Sequence, residues 1–541
     1  MNRPAGWRSA MLVWAAAGTV AAQPTSVVYG PHNLSAGGTG PVRAVMEDQV
    51  CIFCHTPHNA SPIKPLWNRA LPVEAYTIYR SNSLDALPDQ PTGTSKMCLS
   101  CHDGTIALGS VVSRDMPIQM AGGITTMPAG SSLLGTDLSD DHPISFRYDS
   151  GLAAKDNKLR QPSSLPHQIL LDRNAELQCT SCHDAHNNVN GNFLVMNNDQ
   201  SQLCLSCHQV GTTSITGHQQ CSACHQPHTA PSGPYLLRAA TVSQTCVSCH
   251  DGSVAGAANI AGDLNKPWVH DTNSPVDPPG HMSEHTSCSS CHDPHTMQPG
   301  AGRAPSVHPS FGKIAGMSAS GSFVNNASYE FEVCFKCHGL NSNIQPTVPR
   351  QITATSMLAQ FSPSAVSSHP VEAPGHNNQV PSLKPGWTTG SMVYCSDCHG
   401  SDSGSKGGGS GPDGTHGSHN GPLLTARYDT EDYTTESASA YALCYTCHDR
   451  NSILSENSSF KGHRKHIVKE RTPCAACHDA HGIPSGQGNS VNNSNLINFA
   501  TGIVLPDPRT GRLEFRDTGM FRGECFLSCH GKDHSPLKYE D

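Results

Sequence analysis

Residues 179–250 contain Cys179-Thr-Ser-Cys182-His183-Asp-Ala-His186, then Cys204-Leu-Ser-Cys207-His208, then Cys221-Ser-Ala-Cys224-His225-Gln-Pro-His228, then Cys246-Val-Ser-Cys249-His250. Four copies of Cys-x-x-Cys-His stand as two pairs, and in each pair the first cysteines lie 25 residues apart. The intervening text repeats as well, with Gly191-Asn192-Phe193-Leu194 in the place of Gly233-Pro234-Tyr235-Leu236. A fixed internal period predicts repeated units that stack on their neighbours.

Working outward, the triplet recurs upstream as Cys51-Cys54-His55 and Cys98-Cys101-His102. Downstream it recurs as Cys288-Cys291-His292, Cys334-Cys337-His338, Cys395-Cys398-His399, Cys444-Cys447-His448 and Cys474-Cys477-His478. A twelfth, Cys525-x-x-x-Cys529-His530, carries one extra residue between its cysteines. Chance supplies on the order of 0.1 such matches, against the eleven regular ones found. The spacing is that of covalent haem attachment. Two cysteines three residues apart form thioethers to the two vinyl groups on one side of a porphyrin, and the adjacent His stands over the iron. Together the motifs use all 24 cysteines, leaving none for a disulfide, an iron–sulfur cluster or a thiolate zinc site.

The rest of the composition agrees. Only 36% of the 541 residues are hydrophobic and 6% aromatic, while 49 Gly and 40 Pro interrupt regular structure. Such a chain cannot offset its ordering entropy by aliphatic burial alone. Haems are expected to be its core, within mostly irregular backbone with short α-helices and little β. Residues 434–448 are the clearest helix candidate, and residues 320–333 carry β-type residues without alternation.

The motifs group into six two-haem units, expected at 23–125, 126–215, 216–265, 266–350, 351–455 and 456–541. Residues 1–22 read as an export signal. Arg3 and Arg8 precede a short apolar run, and Val20-Ala21-Ala22 offers small residues before Gln23. The run is too short to cross a bilayer comfortably, so no transmembrane segment is expected. The mature chain is expected in the periplasm or on the outer cell surface.

Twelve motif histidines leave 20 of the 32 for the far faces of the irons. Five first motifs carry a further His three residues on: His58, His186, His228, His295 and His481. Three residues extend at most about 10 Å, so such a His cannot reach around its own haem and must reach a different haem or none. In the fifth unit His416, beyond the Gly/Ser-rich linker, is expected in that role. Upstream candidates are His32, His142, His218, one of His270, His281 and His285 (with His270 and His285 carried forward), His369 in preference to His376, and either His463 or His466, the second carried forward. His167, His308, His419 and His534 are then surplus. No Met recurs at a fixed offset from the motifs. The expectation is therefore bis-His haems of low potential that move electrons and perform no bond chemistry.

Cys51-Ile-Phe-Cys54-His55-Thr-Pro-His58, Cys288-Ser-Ser-Cys291-His292-Asp-Pro-His295 and Asp140-Asp141-His142-Pro143-Ile144 resemble the doubled-CxxCH family of multihaem c-type cytochromes. The resemblance implies electron transfer, commonly in bacteria that respire metal oxides or other extracellular acceptors. It implies other redox proteins as partners, and in some relatives self-association into filaments. The chain departs from the pattern at the wide twelfth motif and after His399, where no His follows at the third position. Its formal charge of −9 becomes two units more negative once Arg3 and Arg8 leave. That disfavours nucleic acid and anionic membranes as partners. A reductase enzyme is the weakest reading, because it needs an open iron position and ligands here are in excess.

Overall fold

A computed structural model describes residues 26–61, 66–211, 213–231, 233–272, 287–340, 346–354, 356–456 and 458–539. The expected export signal and the candidates His281 and His285 lie outside the described residues. The chain divides into two compact units, Met1–Gln209 with Gln226–Leu236, and Val210–His225 with Leu237–Asp541.

Regular elements are short, as the Gly and Pro content predicts. The longest helices, α1 (Gly93–His102) and α2 (Glu330–His338), both end on the His of a second motif. Their starts are local matters. In α2 the Glu332 carboxylate accepts the backbone N–H groups of Ser328 (2.6 Å) and Tyr329 (3.1 Å), satisfying donors that a helix start leaves open. A shorter helix, Val242–Val247, starts where the Thr241 side chain accepts from Gln244 N–H at 3.1 Å and runs into Cys246. Among the described residues, no helix is long and apolar enough to cross a membrane.

Residues 434–448 form turns closed by a 3-10 turn at Cys444–Thr446, not the expected helix. The backbone is engaged elsewhere. Asp429 N–H donates to the Ala440 carbonyl (2.9 Å) and Leu443 N–H to the Arg427 carbonyl (3.0 Å), while Ser437 Oγ takes the Ala440 N–H (3.0 Å). These bonds replace the helical ladder.

Strand is scarce except at the C-terminus. There β1 (Glu514–Gly519), β2 (Arg522–Cys529) and β3 (Lys532–Tyr539) form an antiparallel meander in that order. Facing pairs include Phe515 with Cys525, Leu527 with His534 and Cys529 with Lys532.

The core is split into seven small clusters, and five of them contain motif cysteines. Ile52, Phe53, Leu108 and Met120 gather around Cys54 and Cys101, and Phe499, Val504, Phe515 and Leu527 around Cys477, Cys525 and Cys529.

Candidate haem sites

Each of the eleven regular Cys-x-x-Cys-His sites begins with one tight turn. The His N–H donates to the carbonyl of the first cysteine at His55 (2.7 Å), His225 (2.8 Å), His292 and His399 (2.9 Å), and His183, His208, His448 and His478 (3.0 Å). One helical turn sets residues i and i+3 on the same face. Both thiols therefore point one way, with the imidazole just beyond them.

The imidazoles then pair across the fold. His55 faces His186 with ring centres 6.0 Å apart, His102 faces His32 at 6.2 Å, His183 faces His228 at 6.1 Å, and His208 faces His142 at 6.2 Å. In the second unit His225 faces His295 and His250 faces His218, at 6.2 and 6.1 Å. His292 faces His416 and His338 faces His270, both at 6.2 Å, and His399 faces His481 at 5.9 Å. His478 faces His463 at 6.4 Å.

This separation is not ring stacking. It stays the same while the interplanar angle runs from 10° for His225–His295 to 76° for His142–His208. Where rings do stack, as His32 on Phe193, the centres close to 4.2 Å. With metal–imidazole bonds of about 2 Å, two rings on opposite sides of one iron sit about 6 Å apart. Among the described residues no group of three or more His, Cys, Asp or Glu side chains could hold a metal by itself. A metal that brings its own equatorial ligands fits such two-imidazole sites, and haem is such a group.

The ring nitrogens are sorted accordingly. Nδ1–H donates to the carbonyl of Ser132 from His102 (2.7 Å), of Asn192 from His183, of Ala258 from His250, of Ser310 from His292 and of Asn495 from His478 (each 2.9 Å). Among the facing rings, His270 donates to Thr415 O (2.8 Å) and His142 to Pro143 O (3.0 Å), and the candidate His369 donates to Ala480 O (2.6 Å). His228 donates to the Asp141 carboxylate at 3.0 Å. A proton fixed on Nδ1 leaves the Nε2 lone pair for a metal and fixes the ring's orientation. The Asn192 carbonyl comes from the Gly191–Leu194 repeat, where Asn192 and Phe193 take left-handed backbone angles. Asn495 and Leu496 bend the chain in the same way beside His478. The sequence echo is thus a loop that orients a ligand, a role its periodicity alone did not disclose.

Burial keeps these rings neutral. It lowers the pKa of His142, His416, His448 and His481 to about 4 and that of His463 to about 3. For His448 the nearby His369 and His478 add to the effect. Desolvation pushes Cys54, Cys182, Cys291, Cys398, Cys477 and Cys525 up to about 12, which opposes a thiolate at those positions. Contact with a neighbouring thiol instead lowers Cys179 to about 7 and Cys288 to about 6.

Neighbouring motifs touch through their cysteines. Cys98 is hydrogen-bonded to Cys179, Cys246 to Cys288, Cys334 to Cys395 and Cys444 to Cys474. Each contact joins a second motif to the first motif of the following pair.

Several sequence candidates stand apart. His58 is exposed and, among the described residues, faces no other imidazole. His463, not His466, faces His478, while His466 faces His534 at 6.3 Å. His416 faces His292, whereas the exposed His419 bonds the Asp402 carboxylate at 3.0 Å. His530, expected as the twelfth motif ligand, turns its Nε2 onto Asp432.

Compared with known families, residues 173–212 and 215–255 each match the doubled CXXCH motif. No curated protein matches the chain.

Proposed function

We propose that this chain, a multihaem c-type cytochrome by its paired CXXCH motifs, carries twelve covalently bound haems and passes electrons along them. The observation that carries this reading is the set of imidazole pairs held 5.9–6.4 Å apart at any tilt. Bound haem supplies a one-electron iron couple. The chain's own residues do the rest. Paired cysteines would anchor each haem covalently and facing histidines would ligate its iron, while carbonyls and Asp141 hold the proton on Nδ1. With both axial positions taken there is no place for a substrate on iron, so we assign electron transfer and not bond chemistry.

Four histidines three residues after a motif cross to a ring of the preceding pair: His186 to His55, His228 to His183, His295 to His225 and His481 to His399. His416 does the same for His292. One short segment thereby anchors one haem and ligates a haem of the preceding pair, which keeps the two close. Cysteine contacts between successive motifs support an electron path that follows chain order inside each compact unit.

We further assign the protein to the exported compartment, on its N-terminal signal, with basic redox partners favoured by its net charge of −9. Extracellular acceptors are the proposed destination. Near-infrared magnetic circular dichroism of the purified ferric protein tests the ligand assignment. Bis-His charge-transfer bands and a fully low-spin Soret region are expected, and a predominance of Met-ligated or high-spin haem contradicts it.

A further inference from the structure

The twelfth motif does not fold like the other eleven. Cys525 and Cys529 lie on β2, and His530 with Gly531 forms the two-residue turn into β3, both at left-handed backbone angles (φ 49° and 71°). That is the geometry of a tight hairpin loop. On a strand, side chains alternate between faces. Cys525, Leu527 and Cys529 therefore share one face, and all three belong to the cluster that includes Phe515 and Cys477. The residue after Cys529 cannot follow both thiols onto that face as it does in a helical turn.

His530 is occupied elsewhere. Its Nε2, the nitrogen that would meet an iron, donates to the Asp432 carboxylate at 2.9 and 3.0 Å, and its ring stacks on Tyr433 with centres 4.6 Å apart. Across the hairpin, His534 stands directly opposite Leu527, and facing residues of an antiparallel pair project to the same side. Its ring faces His466 at 6.3 Å and 67°, the separation of the ten measured motif-histidine pairs. His466 donates Nδ1–H to the Gly462 carbonyl at 2.8 Å, which leaves its Nε2 for a metal.

We propose that the haem attached through Cys525 and Cys529 is ligated by His534 and His466, and that His530 is a turn residue held by Asp432 and not a ligand. The inference rests on the haem reading above and concerns which imidazoles serve the last site. Attachment is the ordinary addition. Each Sγ–H adds across a vinyl double bond, the new S–C bond consumes the π pair, the hydrogen passes to the other vinyl carbon, and no electrons enter or leave.

The test uses the full-length holoprotein and three variants, H534A, H466A and H530A, read by intact mass and by spin state with carbon monoxide binding. Wild type is expected to carry twelve low-spin haems that bind no carbon monoxide. H466A, on a separate segment from the hairpin, is expected to keep twelve haems with one, about a twelfth of the Soret intensity, turning high-spin and binding carbon monoxide. H534A is expected to behave alike or to lose that one haem, and H530A to match wild type. A high-spin or missing haem in H530A, with H466A unchanged, overturns the assignment while leaving the general haem reading intact. So does a wild-type protein with eleven haems and free thiols at Cys525 and Cys529. A wild-type protein with no haem at all sinks the general reading instead.

Discussion

The ring of His295 lies 6.2 Å from that of His225 and within 10° of parallel, about 2 Å farther than the stacked contact of His32 on Phe193. His295 follows Cys288-x-x-Cys291-His292, whose own imidazole faces His416 instead. A histidine beside one proposed haem site would thus complete another.

His295→Ala should therefore leave the site at Cys288 low-spin and open the one at Cys221. Mass should still show every haem, and one haem should become high-spin and bind carbon monoxide. Spin-state change in two haems, or in none, contradicts the crossed arrangement.

Asp141 is buried and accepts the Nδ1–H of His228 at 3.0 Å. A carboxylate there makes the imidazole a stronger donor to iron and favours the ferric state. Asp141→Asn should raise the potential of a single haem by roughly tens of millivolts. Potentiometric titration against wild type reads the shift, and a downward or global change opposes it.

Arg69 is fully buried, and its guanidinium donates to the carbonyls of Ser100, Ala107, Leu108 and Ser110 beside Cys54 and Cys101. Arg69→Met strands four carbonyls, at a cost of about 2–4 kcal/mol. It also removes a positive charge near the first two haems, so their potentials should fall. Thermal melting and redox titration check the two effects separately, and an unchanged melting temperature would falsify the structural role.

Acid should destabilise the fold early. Burial holds the pKa of His142, His416, His448 and His481 down near 4, against 6.5 for a free imidazole, and iron bound at Nε2 would hold them lower still. The unfolded chain then binds more protons between these values, so stability is complete above about pH 6.5 and declines as pH falls towards 4. Denaturant unfolding at stepped pH measures this. Constant stability across that window contradicts it.

Much of the site was legible because thioether chemistry is local. Spacing alone marks the cysteines and their adjacent histidines, and the short reach of three residues keeps His186, His228, His295 and His481 from their own haems. Ligand counting also singled out His32, His142 and His218, whose rings face motif histidines at 6.1–6.2 Å. The choice between His463 and His466 was not legible. They are three residues apart on one turn, and only packing sends the first to His478 and the second to His534. The C-terminal meander was missed because its extra motif residue looked like a bulged loop. The alternation of Cys525, Leu527 and Cys529 before His530-Gly531 was the available strand-and-turn signal. Residues 434–448 misled in the opposite sense, since helical spacing of Ala438, Ala440 and Leu443 lost to hydroxyl and cross-chain hydrogen bonds.

The most direct measurement is the intact mass of the mature protein, taken together with thiol labelling under denaturing conditions. The account predicts a mass excess equal to twelve haem groups and no cysteine that reacts. A mass matching the bare polypeptide, with its 24 cysteines free or bridged in pairs, would contradict it.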